Sequence, residues 1–308
     1  MTVSATAPSS VRDVLKGYLA LTKPRIIELL LVTTVPTMIV AANGFPRAWL
    51  IVATLIGGTL AAGGANAFNM VIDRDIDAIM ERTKRRPLVT GVMSARSAAL
   101  FAFALELLAF VILVVWVNPL SAWLAMSATA FYVVVYTLIL KRRSKQNIVI
   151  GGAAGALPPV VGYAVATGSV TFDSLILFAI IFMWTPPHFW ALALVKSGDY
   201  ARAGVPMMPN VKGANRTRLE ILTYTLILIP LGILPWRMGV GGELYAAMAI
   251  VAGAGMAWMA LRVFRIREGA LANKAAMQLF GFSILYLFLL FSALIVEHSF
   301  GLLERFGL

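Results

Sequence analysis

The 308 residues contain no cysteine, which excludes disulfides, thiolate zinc sites, iron–sulfur clusters and covalent haem attachment through C-x-x-C-H. Charge is scarce as well. Only 13% of residues are Asp, Glu, Lys or Arg, the acidic ones number 14, and there are two histidines. No Pro/Ser-rich linker or long polar insertion divides the chain, so residues 1–308 read as one domain. The first twenty residues have no separate short apolar core with a small-residue cleavage site, and they lack the Arg density of a mitochondrial presequence. The first apolar span therefore reads as retained, behind a polar arm over residues 1–20, and a bacterial inner membrane is the simplest home. Hydrophobic residues make up 60% of the chain and the mean hydropathy is +0.86, which excludes an ordinary water-soluble globule.

Apolar stretches long enough to cross about 30 Å of hydrocarbon as helices fall at 25–43, 48–72, 97–117, 119–140, 147–167, 172–194, 218–236, 242–264 and 276–297. Nine spans predict an all-α, polytopic fold with the N-terminus inside and the C-terminus outside. In that arrangement 23 of the 26 Lys and Arg residues lie on the inside, leaving only Arg47, Arg237 and Arg305 opposite. The formal net charge of +12 then follows from topology and anionic lipid and calls for no nucleic acid. Two inside connections, 73–96 and 195–217, are longer than the rest and hold most of the inside acids. Glycines 57, 58, 63 and 64 in the second span, and 151, 152 and 155 in the fifth, allow close helix contact. Pro158-Pro159 and Pro186-Pro187 interrupt the fifth and sixth spans, which places both beside a central cavity.

Chemistry concentrates where the second span ends. Asn69, Asp73 and Asp77 stand at i, i+4 and i+8, a stripe that drifts by about 40° per step, so all three converge on one ligand. Oxygen ligands at that spacing suit Mg²⁺, which takes its remaining ligands from water and substrate phosphates. Arg82, Lys84, Arg85 and Arg86 follow at once and suit phosphate oxygens. Asn66 extends the face, whereas Asp75 lies about 200° from Asp73 and meets solvent or Arg74. In the second connection Asp199 is flanked by Lys196 and Arg202, a set that holds a metal, neutralises a diphosphate or forms a surface salt bridge. His188, about 10 Å deep beside the Pro186-Pro187 pair, reads as an iron ligand, a proton acceptor or a packing residue. His298 reads as interfacial; Glu28 and Glu106 lie in apolar runs and are left out of the catalytic set.

The pattern N-M-V-I-D-R-D-I-D at 69–77 resembles the UbiA-type superfamily of intramembrane prenyltransferases. R-T-K-R-R-P-L at 82–88, L-K-R at 140–142, N-I-V-I-G-G at 147–152, W-T-P-P-H-F-W-A-L-A at 184–193 and D-Y-A-R-A-G-V-P-M-M-P at 199–209 narrow the resemblance to its haem-farnesylating branch. The resemblance implies nine helices around a cavity open toward lipid. It implies farnesyl diphosphate and haem b as substrates, haem O as product, and haem A synthase or terminal-oxidase assembly downstream. It assigns Asn69, Asp73, Asp77, Asp199 and Lys196 to catalysis, with Asn69, Asp73, Asp77 and Asp199 as Mg²⁺ ligands. Arg82, Arg85, Arg86, Lys141, Arg142, Tyr200, Arg202, His188 and Asn66 fall to substrate binding. One departure stands out: Asp199 has no acidic partner at i±4, so Lys196 and Arg202 take over part of a second metal's electrostatic work. A prenyltransferase with another aromatic or quinone-precursor acceptor, and a membrane transporter, are the competing readings.

Overall fold

The structure, a computed structural model, describes residues 10–302, and of residues 25–31 the backbone alone. Glu28, one of the two acids in apolar runs, therefore lies outside the described side chains. Among the described residues every regular element is helical: α1 (Val11–Thr22), α2 (Pro24–Ala41), α3 (Ala48–Ile72), α4 (Arg74–Ile79), α5 (Ala95–Trp116), α6 (Pro119–Ala130), a π-helical segment (Phe131–Leu140), α7 (Lys141–Arg143), α8 (Asn147–Ala156), α9 (Pro158–Thr167), α10 (Phe172–Arg202), α11 (Met208–Arg237), α12 (Glu243–Arg265) and α13 (Gly269–Ser299). Eight helical stretches of the described residues are long and apolar enough to cross a membrane, with Pro119–Arg143 and Asn147–Thr167 each counted as one; α2 adds the shorter apolar run Val32–Ala41. This is a multi-pass membrane protein. Its outward faces fit lipid: α5 exposes Leu100, Phe103, Leu107, Val111 and Val115, spaced at three and four residues along one stripe.

Local sequence explains where the elements begin and end. Ser94, Asn118 and Thr171 cap α5, α6 and α10 by accepting from the amide nitrogens of Ser97, Ser121 and Ser174. Pro158 starts a new helix and splits the fifth span into α8 and α9, because a proline nitrogen cannot donate to the preceding turn. At Pro186-Pro187 the expected interruption does not occur: α10 runs unbroken through both to Arg202, well into the second inside connection. Residues 11–20 of the expected polar arm form most of α1, whose Gly17 and Leu21 face the protein while Val11, Leu15 and Leu19 point outward.

The main core lies among α10, α11, α12 and α13, where Trp190, Tyr245, Tyr286 and Phe291 are fully buried. His298 belongs to this fold and is not interfacial. It is 9% exposed, its Nε2 donates to the Val240 carbonyl at 2.9 Å, and its Nδ1 lies 3.1 Å from Asn43 Oδ1. Next to it, both carboxylate oxygens of Glu297 accept from backbone amides of Gly242 and Tyr245, which satisfies the start of α12. α3 and α5 close together at glycines: a Cβ on Gly64 would stand 2.7 Å from Glu106 Oε1 and 3.0 Å from the Ala102 carbonyl. Glu106 itself is buried with neither carboxylate oxygen hydrogen-bonded among the described residues.

The α2–α9 contact is the tightest of these approaches. A Cβ on Gly162 would lie 2.1 Å from Thr37 Oγ1 and 2.6 Å from the Thr34 carbonyl, and backbone cannot step aside cheaply. Gly162→Ala is expected to destabilise the protein by about 1–3 kcal/mol. Gly155→Ala, where a Cβ meets nothing within 4 Å, is expected to leave stability unchanged. Thermal unfolding of the detergent-solubilised variants, followed by circular dichroism, checks the difference.

Candidate active site

The stripe on α3 ends in a buried polar centre. Asp73 is 0% and Asp77 2% exposed, and charges that far from water need partners. They have them. Lys141 donates to Asp73 Oδ2, and Arg86 Nη1 stands 2.5 Å from Asp77 Oδ2. Asn69 Nδ2 donates to Asp73 Oδ2 at 2.7 Å and to Thr137 Oγ1 at 3.2 Å, while Asn69 Oδ1 accepts from Lys23 Nζ at 2.8 Å. Thr83, also buried, donates to the Asp77 carbonyl at 3.0 Å and fixes the turn that brings Arg86 back onto Asp77.

Lys23 and Thr137 are the residues that sequence reasoning missed. Lys23 sits between α1 and α2 with φ 52°, a left-handed conformation that lets α2 start at Pro24 while the ammonium turns into the site. Burial, followed by the charges of Arg86 and Lys141, pushes that ammonium down to about 7. The one sequence signal was a basic residue directly before a helix-starting proline. Thr137 lies 68 residues from Asn69, and no local spacing connects the two.

Around this centre the remaining residues take distinct places. Arg142 grips Asp75 through Nη1 and Nη2, each at 2.7 Å, and donates to the Ile72 carbonyl at 3.0 Å. Asp75 is exposed to solvent, as expected, and its ion-pair partner is Arg142 in place of Arg74. This pairing holds the Asp75 carboxyl down at about 2. The same guanidinium reaches 3.8 Å from Asp73 Oδ1, an oxygen that is buried without a hydrogen bond among the described residues. Asn66 turns its amide to the Thr22 carbonyl at 3.0 Å, which ties the end of α1 to α3.

A second group joins the 73–96 and 195–217 connections. Asp199 Oδ1 accepts from the backbone nitrogen of Glu81 at 3.0 Å and from Arg202 at 2.8 Å. Arg82 lies over the Tyr200 ring, 5.7 Å from its centroid, with its Nη2 3.4 Å from the hydroxyl. Arg85 and Lys196 are exposed and make no ion pair among the described residues. Among the described residues no three His, Cys, Asp or Glu side chains converge as a metal site, so the structure does not gather Asp199 with Asp73 and Asp77 into one carboxylate cluster. Asn69 and Asp73 touch directly, and Asp77 follows one turn on, buried and paired with Arg86. With the orphaned Asp73 oxygen, this set fits a hard divalent cation that completes its shell from phosphate and water.

His188 stands apart, at the α10–α13 contact. Its ring is stacked between Trp184 (4.3 Å) and Phe280 (4.4 Å), and its Nδ1 lies 2.7 Å from Ser283 Oγ. The Ser283 hydroxyl already gives its one proton to the Phe280 carbonyl at 2.7 Å. Nδ1 must then be the donor, which leaves Nε2 with its lone pair.

This arrangement defines a class. A family model described as "UbiA prenyltransferase family" matches residues 30–294. The chain belongs to the UbiA prenyltransferase family. Among its relatives, a "Protoheme IX farnesyltransferase" of Methylobacterium radiotolerans is 50% identical over 297 residues, covering 96% of this chain and 92% of that protein. Another of that name, from Beijerinckia indica, is 47% identical over 313 residues, covering 100% and 93%. Among solved structures, digeranylgeranylglyceryl phosphate synthase shares the fold with a TM-score of 0.75 at 18% identity, covering 92% of this chain and 98% of the other. A UbiA homologue from Archaeoglobus fulgidus, bound to GPP and Mg²⁺, gives 0.67 at 19% identity, covering 91% and 99%.

Lys23 is expected to serve the anionic ligand of this site. Lys23→Met is expected to raise the prenyl diphosphate concentration for half-maximal turnover about tenfold, in line with loss of one charge-assisted hydrogen bond. Steady-state kinetics on purified protein check this, with size-exclusion profiles confirming an intact fold.

Proposed function

We propose that the chain transfers the farnesyl group of farnesyl diphosphate to a vinyl group of protohaem IX, with addition of water, giving haem O and diphosphate. The observation that carries this reading is the buried Asn69–Asp73–Asp77 set with Lys23, Arg86 and Lys141 around it. The name shared by relatives about half identical over nearly the whole chain supports the acceptor. In this reading α2 completes nine spans, the N-terminus is inside and the C-terminus outside. The site then faces the cytoplasmic side of a bacterial inner membrane.

Asn69, Asp73 and Asp77 would hold Mg²⁺. When bound, that ion draws negative charge from the diphosphate as the allylic C–O bond breaks. The cations on the carboxylates have a second use: Lys141 and Arg86 turn toward phosphate oxygens when the carboxylates take up their ligand, and Lys23 and Arg82 add to the clamp. Asp199 does its work through the backbone of Glu81, holding the 73–96 connection over the site. Arg85 and Lys196, exposed at the rim, attract the incoming anion. Tyr132 and Tyr136, stacked with centroids 5.5 Å apart, and the surrounding apolar helices shelter the allyl cation from bulk water. The vinyl group attacks that cation, water adds to the resulting carbon centre, and a proton leaves. His188, with Nε2 unprotonated, is assigned to the haem side as iron ligand or as acceptor of that proton.

Asp73→Ala and Asp77→Ala are each expected to lower turnover at least about 100-fold, with protein abundance retained. Purified protein given farnesyl diphosphate with haem b or with 4-hydroxybenzoate is expected to yield haem O alone by mass spectrometry. Prenylated benzoate in its place contradicts the acceptor assignment. His188→Ala is expected to weaken haem binding, read from the Soret band, while farnesyl diphosphate affinity stays close to wild type.

A further inference from the structure

Asn69 is a ligand by its oxygen only, and an amide can present either end. The reading above therefore needs something to decide which way it points. Its Nδ2 donates to Asp73 Oδ2 and to Thr137 Oγ1. Thr137, 0% exposed, has one hydroxyl proton and gives it to the Tyr132 carbonyl at 2.8 Å. Toward Asn69 the hydroxyl can only accept. A flipped amide would set Oδ1 against two acceptors, the Asp73 carboxylate and the Thr137 hydroxyl. In the observed orientation Oδ1 faces the Lys23 ammonium, the one charged donor it meets among the described residues.

The helix around Thr137 is unusual. The bond from its hydroxyl spans five residues, and it sits in the π-helical segment Phe131–Leu140. Thr137 and Lys141 stand four residues apart, which puts them within about 40° of each other on the helix wheel. From that one face Thr137 reaches Asn69 and Lys141 reaches Asp73.

We infer that Thr137 is a positioning residue for metal binding: its hydroxyl, committed to the Tyr132 carbonyl, locks the Asn69 amide with Oδ1 toward the cation. The inference rests on the metal reading proposed above, and the test separates the two. Full-length protein in detergent, with farnesyl thiodiphosphate present, is titrated with Mn²⁺ and free Mn²⁺ is read by electron paramagnetic resonance. Wild type is expected to bind, Thr137→Val to bind about 10- to 100-fold more weakly, and Thr137→Ser to match wild type. The Mg²⁺ concentration for half-maximal turnover is expected to rise in parallel for Thr137→Val, with kcat recovering at saturating Mg²⁺. Unchanged binding by Thr137→Val overturns the inference and leaves the metal reading intact, as does equal loss in Thr137→Ser. A wild type that binds no Mn²⁺ overturns both.

Discussion

Two carboxylates withdrawn from water at the end of a membrane helix impose the rest of the design. Asp73 and Asp77 are almost completely buried, and the Coulomb and desolvation costs of that placement demand compensation within a few ångströms. Lys141 and Arg86 supply it, each arriving from a different part of the chain. Such pairs contribute little net stability, since desolvation cancels much of the attraction. Their value is functional. A site already holding balanced charge can accept a multiply charged anion and its counter-ion together, by exchanging one set of ion pairs for another.

The scaffold around these pairs is arranged to keep them in register. α3 delivers Asn69 and Asp73, the short α4 carries Asp77 onward, and the turns after it return Arg86. Arg142 bolts the α3–α4 junction through Asp75 and the Ile72 carbonyl. Asp199 reaches from the end of α10 to the backbone at Glu81, so the 73–96 and 195–217 connections act as one unit. Behind them the small residues of α3 allow α5 to approach closely, and the aromatic core shared with α11, α12 and α13 gives α10 a rigid backing.

What the sequence made legible was periodic or local. The i, i+4, i+8 stripe, the basic turn after it and eight of the apolar spans depend on helix repeat and hydropathy, and one chain suffices to read both. Thr137 and Lys23 were invisible because their contacts join residues 68 and 46 apart. The π-helical turn left no mark in an apolar run whose pattern fits an α-helix equally well. Pro186-Pro187 promised an interruption that α10 does not show, and His298 looked interfacial because its partners, Asn43 and Val240, come from distant loops. Lys141 entered through family resemblance, and only the fold connects it with Asp73.

The exchange of ion pairs is the central claim, and anomalous diffraction addresses it most directly. Crystals grown with Mn²⁺ and farnesyl thiodiphosphate should show an anomalous peak at about 2.2 Å from oxygens of Asn69, Asp73 or Asp77, the distance usual for such ions. Lys141 and Arg86 should have moved from carboxylate to phosphate. A bound diphosphate with the Lys141–Asp73 and Arg86–Asp77 pairs intact and the anomalous peak elsewhere would contradict the account.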